Sequence, residues 1–220
     1  MGKIYKLESM SALDGPGLRY VVVLQGCPLR CDFCHNADCA DLLGGTEMSA
    51  EEVFQKIERA IPYIKKNGGV TLSGGEPLFQ KEFTNKLLSL CRKAGLHTAM
   101  ETSGACDIGD VIDLVDLVIL DIKADGRNRD GAEKLLLACE EKAVPVWLTQ
   151  VVIPTRNDSI EKLRPFAQLK ERFSCVQKAS LLPYHTMGLN KWKGTCPIEH
   201  IPAMDKAKCK ELEASLFPKA

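Results

Sequence analysis

Net charge is missing from this chain. Its 29 lysines and arginines balance 29 aspartates and glutamates, which excludes bulk electrostatic attraction to nucleic acid or an anionic membrane and leaves room only for a local basic patch. No apolar run approaches the ~18 residues of a membrane span. The N-terminal stretch MGKIYKLESM lacks the apolar core of a signal peptide. No nucleic-acid partner and no membrane are therefore expected, and the expected location is the cytoplasm. Internal repeats, low-complexity stretches and linkers are also absent. The 220 residues read as a single domain, 1–220, large enough to bury a core without disulfide staples, with a monomer as the default.

What is plentiful is cysteine, ten in all. In a chain without secretory features these read as one metal site plus buried thiols rather than as disulfides. The metal candidate is GCPLRCDFC, where Cys27, Cys31 and Cys34 stand at C-x3-C-x2-C. Three thiolates on one short loop can converge on one inorganic centre, and soft sulfur selects iron–sulfur clusters, zinc or copper(I). Closed zinc sites and ordinary ferredoxin clusters draw four protein ligands, whereas Cys39 lies outside the regular spacing. Three cysteines on a cubane leave one iron open. The alternative is a structural zinc site completed by His35 or Cys39. Cys39, Cys91, Cys106, Cys139, Cys175, Cys196 and Cys209 have no ligand-like spacing and read as structural.

Periodicity organises the rest. Lys3–Ser9 is a candidate edge strand, and Arg19–Gln25 is an apolar, β-branched run typical of a strand buried on both faces. Ser49 and Glu52 form a capping-box pattern ahead of Val53, Ile57, Ala60, Ile61 and Ile64 at helical spacing, with Pro62 set to bend or shorten that helix. Strands follow at Gly69–Ser73, Leu96–Thr102, Leu117–Ile122, Val146–Ile153 and Ala179–Leu182. Helices are expected around Phe83–Cys91, Ile108–Leu114, Ala132–Lys142, Ile160–Ala167 and, as a closing element, Pro202–Leu216. Six alternations mean parallel βαβ units in an α/β fold. Eight units usually need about 250 residues, so six fit this length better. Nearly every polar motif falls at a strand's C-terminal end, where parallel α/β folds place their chemistry.

C-x3-C-x2-C with Phe33 before the last cysteine resembles the signature of radical S-adenosylmethionine (SAM) enzymes. Asp14-Gly15-Pro16-Gly17-Leu18-Arg19, Cys34-His35-Asn36, Ser73-Gly74-Gly75-Glu76-Pro77, Asp121-Ile122-Lys123 and Leu182-Pro183-Tyr184-His185 are similar, in order, to segments of the pyruvate formate-lyase activating enzyme family. The likeness spans about Ile4 to Trp192. It implies a partial (β/α)6 barrel of the TIM-like radical SAM type, with a parallel sheet splayed open at one side. It also implies a [4Fe-4S] cluster on Cys27, Cys31 and Cys34, with SAM chelating the fourth iron and yielding a 5′-deoxyadenosyl radical. The implied reaction is hydrogen abstraction from a glycine Cα of a glycyl radical enzyme, with flavodoxin or ferredoxin as electron donor.

The resemblance also distributes roles. Phe33, Cys34 and His35 would flank the adenine side of SAM, and the Gly74-Gly75-Glu76 motif would hold its amino group; a plain strand-to-helix turn is the bland alternative for the latter. Asp121, Ile122 and Lys123 would meet the carboxylate or ribose, and His185 would contact SAM unless it is an ordinary core or surface histidine. Glu101, Thr102 and Asp121 mark a monovalent-cation site in the family, although Glu101 stands where the relative has aspartate. Asp14 and Arg19 fall on the substrate side, or in a plain tight turn. His97 and His200 match nothing and read as structural or exposed. There is no eight-cysteine insert after Cys34, which sets the chain apart from activases with extra clusters. The Asp121–Trp147 region is shorter than in the relative by roughly one or two helical turns. Rival readings are another radical SAM enzyme, such as a ribonucleotide-reductase activating or small-molecule type, or a non-catalytic iron–sulfur or zinc protein.

Overall fold

The edge strand expected at Lys3–Ser9 is longer in the computed structural model, which describes residues 1–218: β1 (Gly2–Ser11) pairs antiparallel with β2 (Arg19–Leu24). All six residues of β2 are buried, as a β-branched run covered on both faces must be. A short strand with no sequence signal, β3 (Thr46–Met48), pairs with the other side of β1. Next, α1 (Ala50–Glu58) starts at Ser49, whose hydroxyl accepts from the Glu52 N–H while the Glu52 carboxylate accepts from the Ser49 N–H. The helix does not run on to Ile64. The chain restarts as a single turn, α2 (Ile61–Ile64), with Pro62 in its first turn where no N–H is needed.

Alternation then sets in: β4 (Gly69–Gly74), α3 (Lys81–Lys93), β5 (His97–Thr102), β6 (Leu117–Asp121), α4 (Arg129–Glu141), β7 (Val146–Val152), α5 (Ile160–Arg172), β8 (Val176–Pro183) and α6 (Lys206–Leu216). The β5–β6 connection is a 3-10 turn, Gly109–Leu114, rather than an α-helix. β8 extends beyond the expected Ala179–Leu182 because only Val176 and Leu181 are buried on it, so its ends carry little apolar signal. Sheet order is β3-β1-β2-β4-β5-β6-β7-β8, and the run from β2 to β8 is parallel throughout. β3 and β8 are unpaired edges, so the barrel is open on one side. No helix among the described residues is long and apolar enough to cross a membrane.

The two faces of the sheet differ in bulk. Outward side chains such as Val22, Leu24, Leu72, Met100, Leu120 and Leu148 join the main core under the helices, each worth about 1.5–3 kcal/mol of burial. Inward, only Ala99, Leu117 and Ile119, with Trp147 against them, form a separate small cluster. The barrel interior is therefore left hollow above that layer.

Arg19 corrects a sequence expectation. It opens β2 at the end of the sheet opposite the cysteine loop and is 0% exposed. Its guanidinium donates to the Thr71 hydroxyl (2.9 Å), the Val70 carbonyl (2.6 Å) and the Pro16 carbonyl (3.3 Å), and meets His97 Nδ1 at 3.2 Å. Burial pulls it down to about 10, against the pull of Asp116 and Asp14. A side chain so engaged plugs the barrel floor and cannot face a protein substrate. His97 is its partner there, in line with a structural role.

Candidate active site

The hollow is a cavity of about 880 Å³ at the C-terminal ends of the parallel strands. Cys27, Cys31 and Cys34 line it, and none of the other seven cysteines does. Their loop leaves β2 and is held from beneath: Gly26 N–H donates to the Cys39 carbonyl (2.7 Å), and the Gln25 amide donates to the Asp38 (3.0 Å) and Asp41 (2.6 Å) carbonyls. Cys34 N–H closes the arc on the Cys31 carbonyl at 3.2 Å. Burial pushes the Cys27 thiol up to about 11 and raises Cys31 and Cys34. Deprotonation at neutral pH thus needs a cationic centre, which iron ligation supplies. All ten cysteines are free thiols. Cys39 is fully buried behind the loop, and among the described residues no three His, Cys, Asp or Glu side chains converge on a point where one ion could sit. Cys39 stays outside the cavity lining, whereas His35 lines it beside the third cysteine. Three thiols lining one cavity without a fourth fit a cluster with one uncoordinated corner.

Gly74 and Gly75 also line the cavity. Their lack of side chains has a cause internal to the chain: a Cβ on Gly75 would lie 2.1 Å from the Gly26 carbonyl oxygen, and one on Gly74, at φ +126°, 2.3 Å from that of Leu24. The tip of β4 thus packs backbone to backbone on the root of the cysteine loop, with Glu76 N–H donating to the Gly26 carbonyl at 2.9 Å. The Glu76 side chain turns away from the cavity. Fully buried, it accepts from Thr102 Oγ1 (2.6 Å), Ser103 N (3.0 Å), Ser103 Oγ (2.7 Å) and Leu78 N (3.3 Å), tying β4 to the end of β5.

Charges cluster on the neighbouring strand ends. Glu101 faces the cavity and accepts from the Ser73 hydroxyl. Burial, with smaller contributions from Asp14 and Asp121, pushes its carboxyl up to about 7. Asp121 Oδ2 pairs with Lys123 Nζ at 2.5 Å, while Asp121 Oδ1 is buried without a partner. Burial would depress Lys123, but Asp121 and Cys31 outweigh it and the ammonium is held above its usual range. Thr102 lines the cavity with its hydroxyl committed to Glu76. Ile122 is buried outside the cavity lining, its N–H on the Thr149 carbonyl at 2.8 Å.

Phe33 and His35 line the cavity beside the third cysteine. His185 is exposed and not part of the lining; it meets His35 edge to face at 4.5 Å, so it reaches the cavity only through that ring. Burial, then the nearby Lys191, lowers the His35 pKa and favours a neutral imidazole. Asp14 accepts from the Ser11 hydroxyl and its carbonyl from Thr71 Oγ1 (2.7 Å), and its neighbour Leu13 borders the cavity. Sequence reasoning missed Asn128. Its amide donates to the Ser103 (2.7 Å) and Asp121 (2.8 Å) carbonyls and accepts from Lys123 N–H (2.9 Å), joining the β5 and β6 tips. Its position before α4 was the available signal.

Residues 13–135 match the family described as a 4Fe-4S single cluster domain. The chain is 42% identical to the pyruvate formate-lyase-activating enzyme of Clostridium pasteurianum, across 98% of this chain and 97% of that protein. To the pyruvate formate-lyase 1-activating enzyme of Escherichia coli K12 it is 33% identical, across 87% of this chain and 84% of that one. Among solved structures, a radical SAM methyltransferase from Sphaerobacter thermophilus superposes with a TM-score of 0.62 at 16% identity, covering 98% of this chain and 74% of that one, a likeness of fold.

Proposed function

Because the chain belongs to the pyruvate formate-lyase-activating enzyme family of radical SAM enzymes, we propose that it installs the glycyl radical of a pyruvate formate-lyase, using the residues around this cavity. When bound, a [4Fe-4S] cluster with SAM on its open iron supplies one-electron cleavage of the sulfonium to methionine and a 5′-deoxyadenosyl radical, which becomes 5′-deoxyadenosine on taking hydrogen from a glycine Cα.

The chain's own residues bind, orient and exclude water. Cys27, Cys31 and Cys34 would hold the cluster through their thiolates. The backbone at Gly74 and Gly75, rather than the Glu76 side chain, receives the amino group, since that carboxylate already accepts four hydrogen bonds elsewhere. Lys123, kept charged beside Asp121, faces the methionine carboxylate or the ribose, a charge-assisted contact. Phe33 packs on the adenine side, and His35 is oriented by His185, which meets it edge to face. The unpartnered Asp121 Oδ1 offers an acceptor for a ribose hydroxyl or, with Glu101, for a monovalent cation. Asn128 keeps the two strand tips in register. No general base is needed, because the reaction moves a hydrogen atom. Flavodoxin or ferredoxin supplies the electron, and the chain acts as a monomeric single domain in the cytoplasm.

One observation carries this reading: of ten cysteines, only the three at C-x3-C-x2-C line the cavity, with Gly74, Gly75 and Lys123 around them. Anaerobic reconstitution followed by SAM and a reductant tests it. Formation of 5′-deoxyadenosine, and a glycyl paramagnetic resonance doublet when pyruvate formate-lyase is added, are expected. Cluster-loaded, reduced protein that leaves SAM intact would refute it.

A further inference from the structure

β2 and β8 are the first and last strands of the parallel run, and no strand hydrogen bonds join them. The chain nevertheless crosses between them at the cavity rim. After β8, residues 185–196 pass over the cysteine loop and bind it at separate points. Trp192 Nε1 donates to the carbonyl of Cys34 at 3.2 Å, and Lys191 Nζ to Asn36 Oδ1 at 2.8 Å. The Cys196 thiol donates to the carbonyl of Asp32, between the second and third cysteines, at 3.5 Å. Gly188 sits so close to His35 that a Cβ there would lie 2.7 Å from its carbonyl oxygen. These contacts span the loop from Asp32 to Asn36, the arc that carries the third cysteine. Within that arc the backbone bond besides the Cys34 turn is Cys39 N–H on the Asn36 carbonyl (3.1 Å), so little of the loop's own structure fixes it.

We propose that residues 185–196 are a clasp that ties the end of β8 to the cysteine loop at the rim and holds the cysteine arc in ligating shape, with Trp192 as its positioning residue. An indole N–H on the carbonyl of a ligand cysteine fixes the orientation of that peptide unit, and a donor fixed beside a cluster also stabilises its reduced, more negative state. Neither effect requires Trp192 to touch substrate. The inference rests on the reading of Cys27, Cys31 and Cys34 as iron ligands, but its structural half stands without iron.

The test uses the full chain before and after anaerobic reconstitution, as wild type, Trp192→Phe, Lys191→Met and Gly188→Ala. Trp192→Phe keeps a ring and removes the donor. Losing one such bond should accelerate amide exchange across residues 32–39 of the iron-free protein about fivefold, speed iron loss to a chelator by a similar factor, and lower the cluster's midpoint potential. Exchange in β4, β5 and β6 should stay at the wild-type rate, and Gly188→Ala should reproduce the effect on the loop. If Trp192→Phe does not fold, Lys191→Met decides alone. Wild-type exchange in the loop of every folded variant, or exchange raised equally across the core strands, overturns the clasp. Failure of the wild type to take up iron would instead overturn the ligand assignment, and the exchange result would still stand or fall separately.

Discussion

Glu76→Gln separates two roles that the Gly-Gly-Glu sequence leaves entangled. If the carboxylate binds the amino group of SAM, the substitution should weaken SAM binding and leave the iron-free protein stable. The geometry says the reverse. Both carboxylate oxygens are sealed from solvent and receive two donors each, from Leu78 N and Thr102 Oγ1 on one and from Ser103 N and Oγ on the other. An amide can accept at one position only. Its NH2 group sits at least cost where Leu78 N donates over 3.3 Å, because the Thr102 hydroxyl can rotate to accept while the Leu78 N–H is left without a partner. One orphaned buried amide costs about 1–3 kcal/mol, and losing charge assistance in the remaining bonds adds to it, so a total near 3 kcal/mol follows. For a chain of this length that is roughly 6–12 °C in melting temperature. Urea unfolding of the iron-free variant measures the first quantity, and SAM binding to the folded, reconstituted variant the second. A loss below about 1 kcal/mol together with abolished SAM binding would refute the structural assignment of Glu76.

Gly75→Ala places a methyl 2.1 Å from the Gly26 carbonyl, so the cysteine loop must shift and iron content after reconstitution should fall severalfold, read by iron and sulfide analysis. Wild-type loading would refute the close packing. Lys123→Met removes the partner of Asp121 and should weaken SAM binding about tenfold, measured by titration of cluster-loaded protein. His97 is depressed by burial and by Arg19, so the unfolded chain takes up its proton first as pH falls. The stability it supports is complete above about 6.5 and declines as pH drops toward the folded value, a slope that His97→Gln should flatten in urea midpoints across pH 5–7. Leu13 is 93% exposed where the β1–β2 turn borders the cavity, so Leu13→Arg should change stability by less than about 0.5 kcal/mol yet lower the glycyl radical yield while 5′-deoxyadenosine still forms; an unchanged radical yield would place the substrate's approach elsewhere.

The sequence carried the fold because its central strands are covered on both faces. A run such as Tyr20-Val21-Val22-Val23-Leu24 has one physical use, and four largely buried segments, β2, β4, β5 and β6, alternating with helices leave few architectures. The cysteine loop was legible because ligand chemistry depends on residue type and spacing. Direction of side chains was not. Arg19 lies in a motif whose resemblance points to the substrate, but it starts a strand whose opposite end carries the site, and a strand's polarity decides which end a residue serves. Glu76 follows two cavity-lining glycines, but backbone at a strand-to-helix turn reverses the facing of successive residues and delivers its carboxylate to β5. Asn128 acts through main-chain groups of Ser103, Asp121 and Lys123, and its place before α4 hinted only at a helix cap, not at these contacts.

An open barrel suits a reaction at a glycine of another protein. The cavity, about 880 Å³, lies near the upper end of small-molecule sites, which run roughly 300–1,000 Å³. The sheet stays open where β3 and β8 are unpaired, and that side gives a protein substrate a route to the cavity. An unpaired edge invites misplaced strands, and β8 is protected by α6, whose Glu213 carboxylate accepts the Leu181 N–H at 2.5 Å. Protection of that edge leaves the inward face of β7 and β8 free, where Lys178 stacks on Trp147 at 4.6 Å and Leu182 borders the mouth. A Cα without a side chain can approach closely through such a slot.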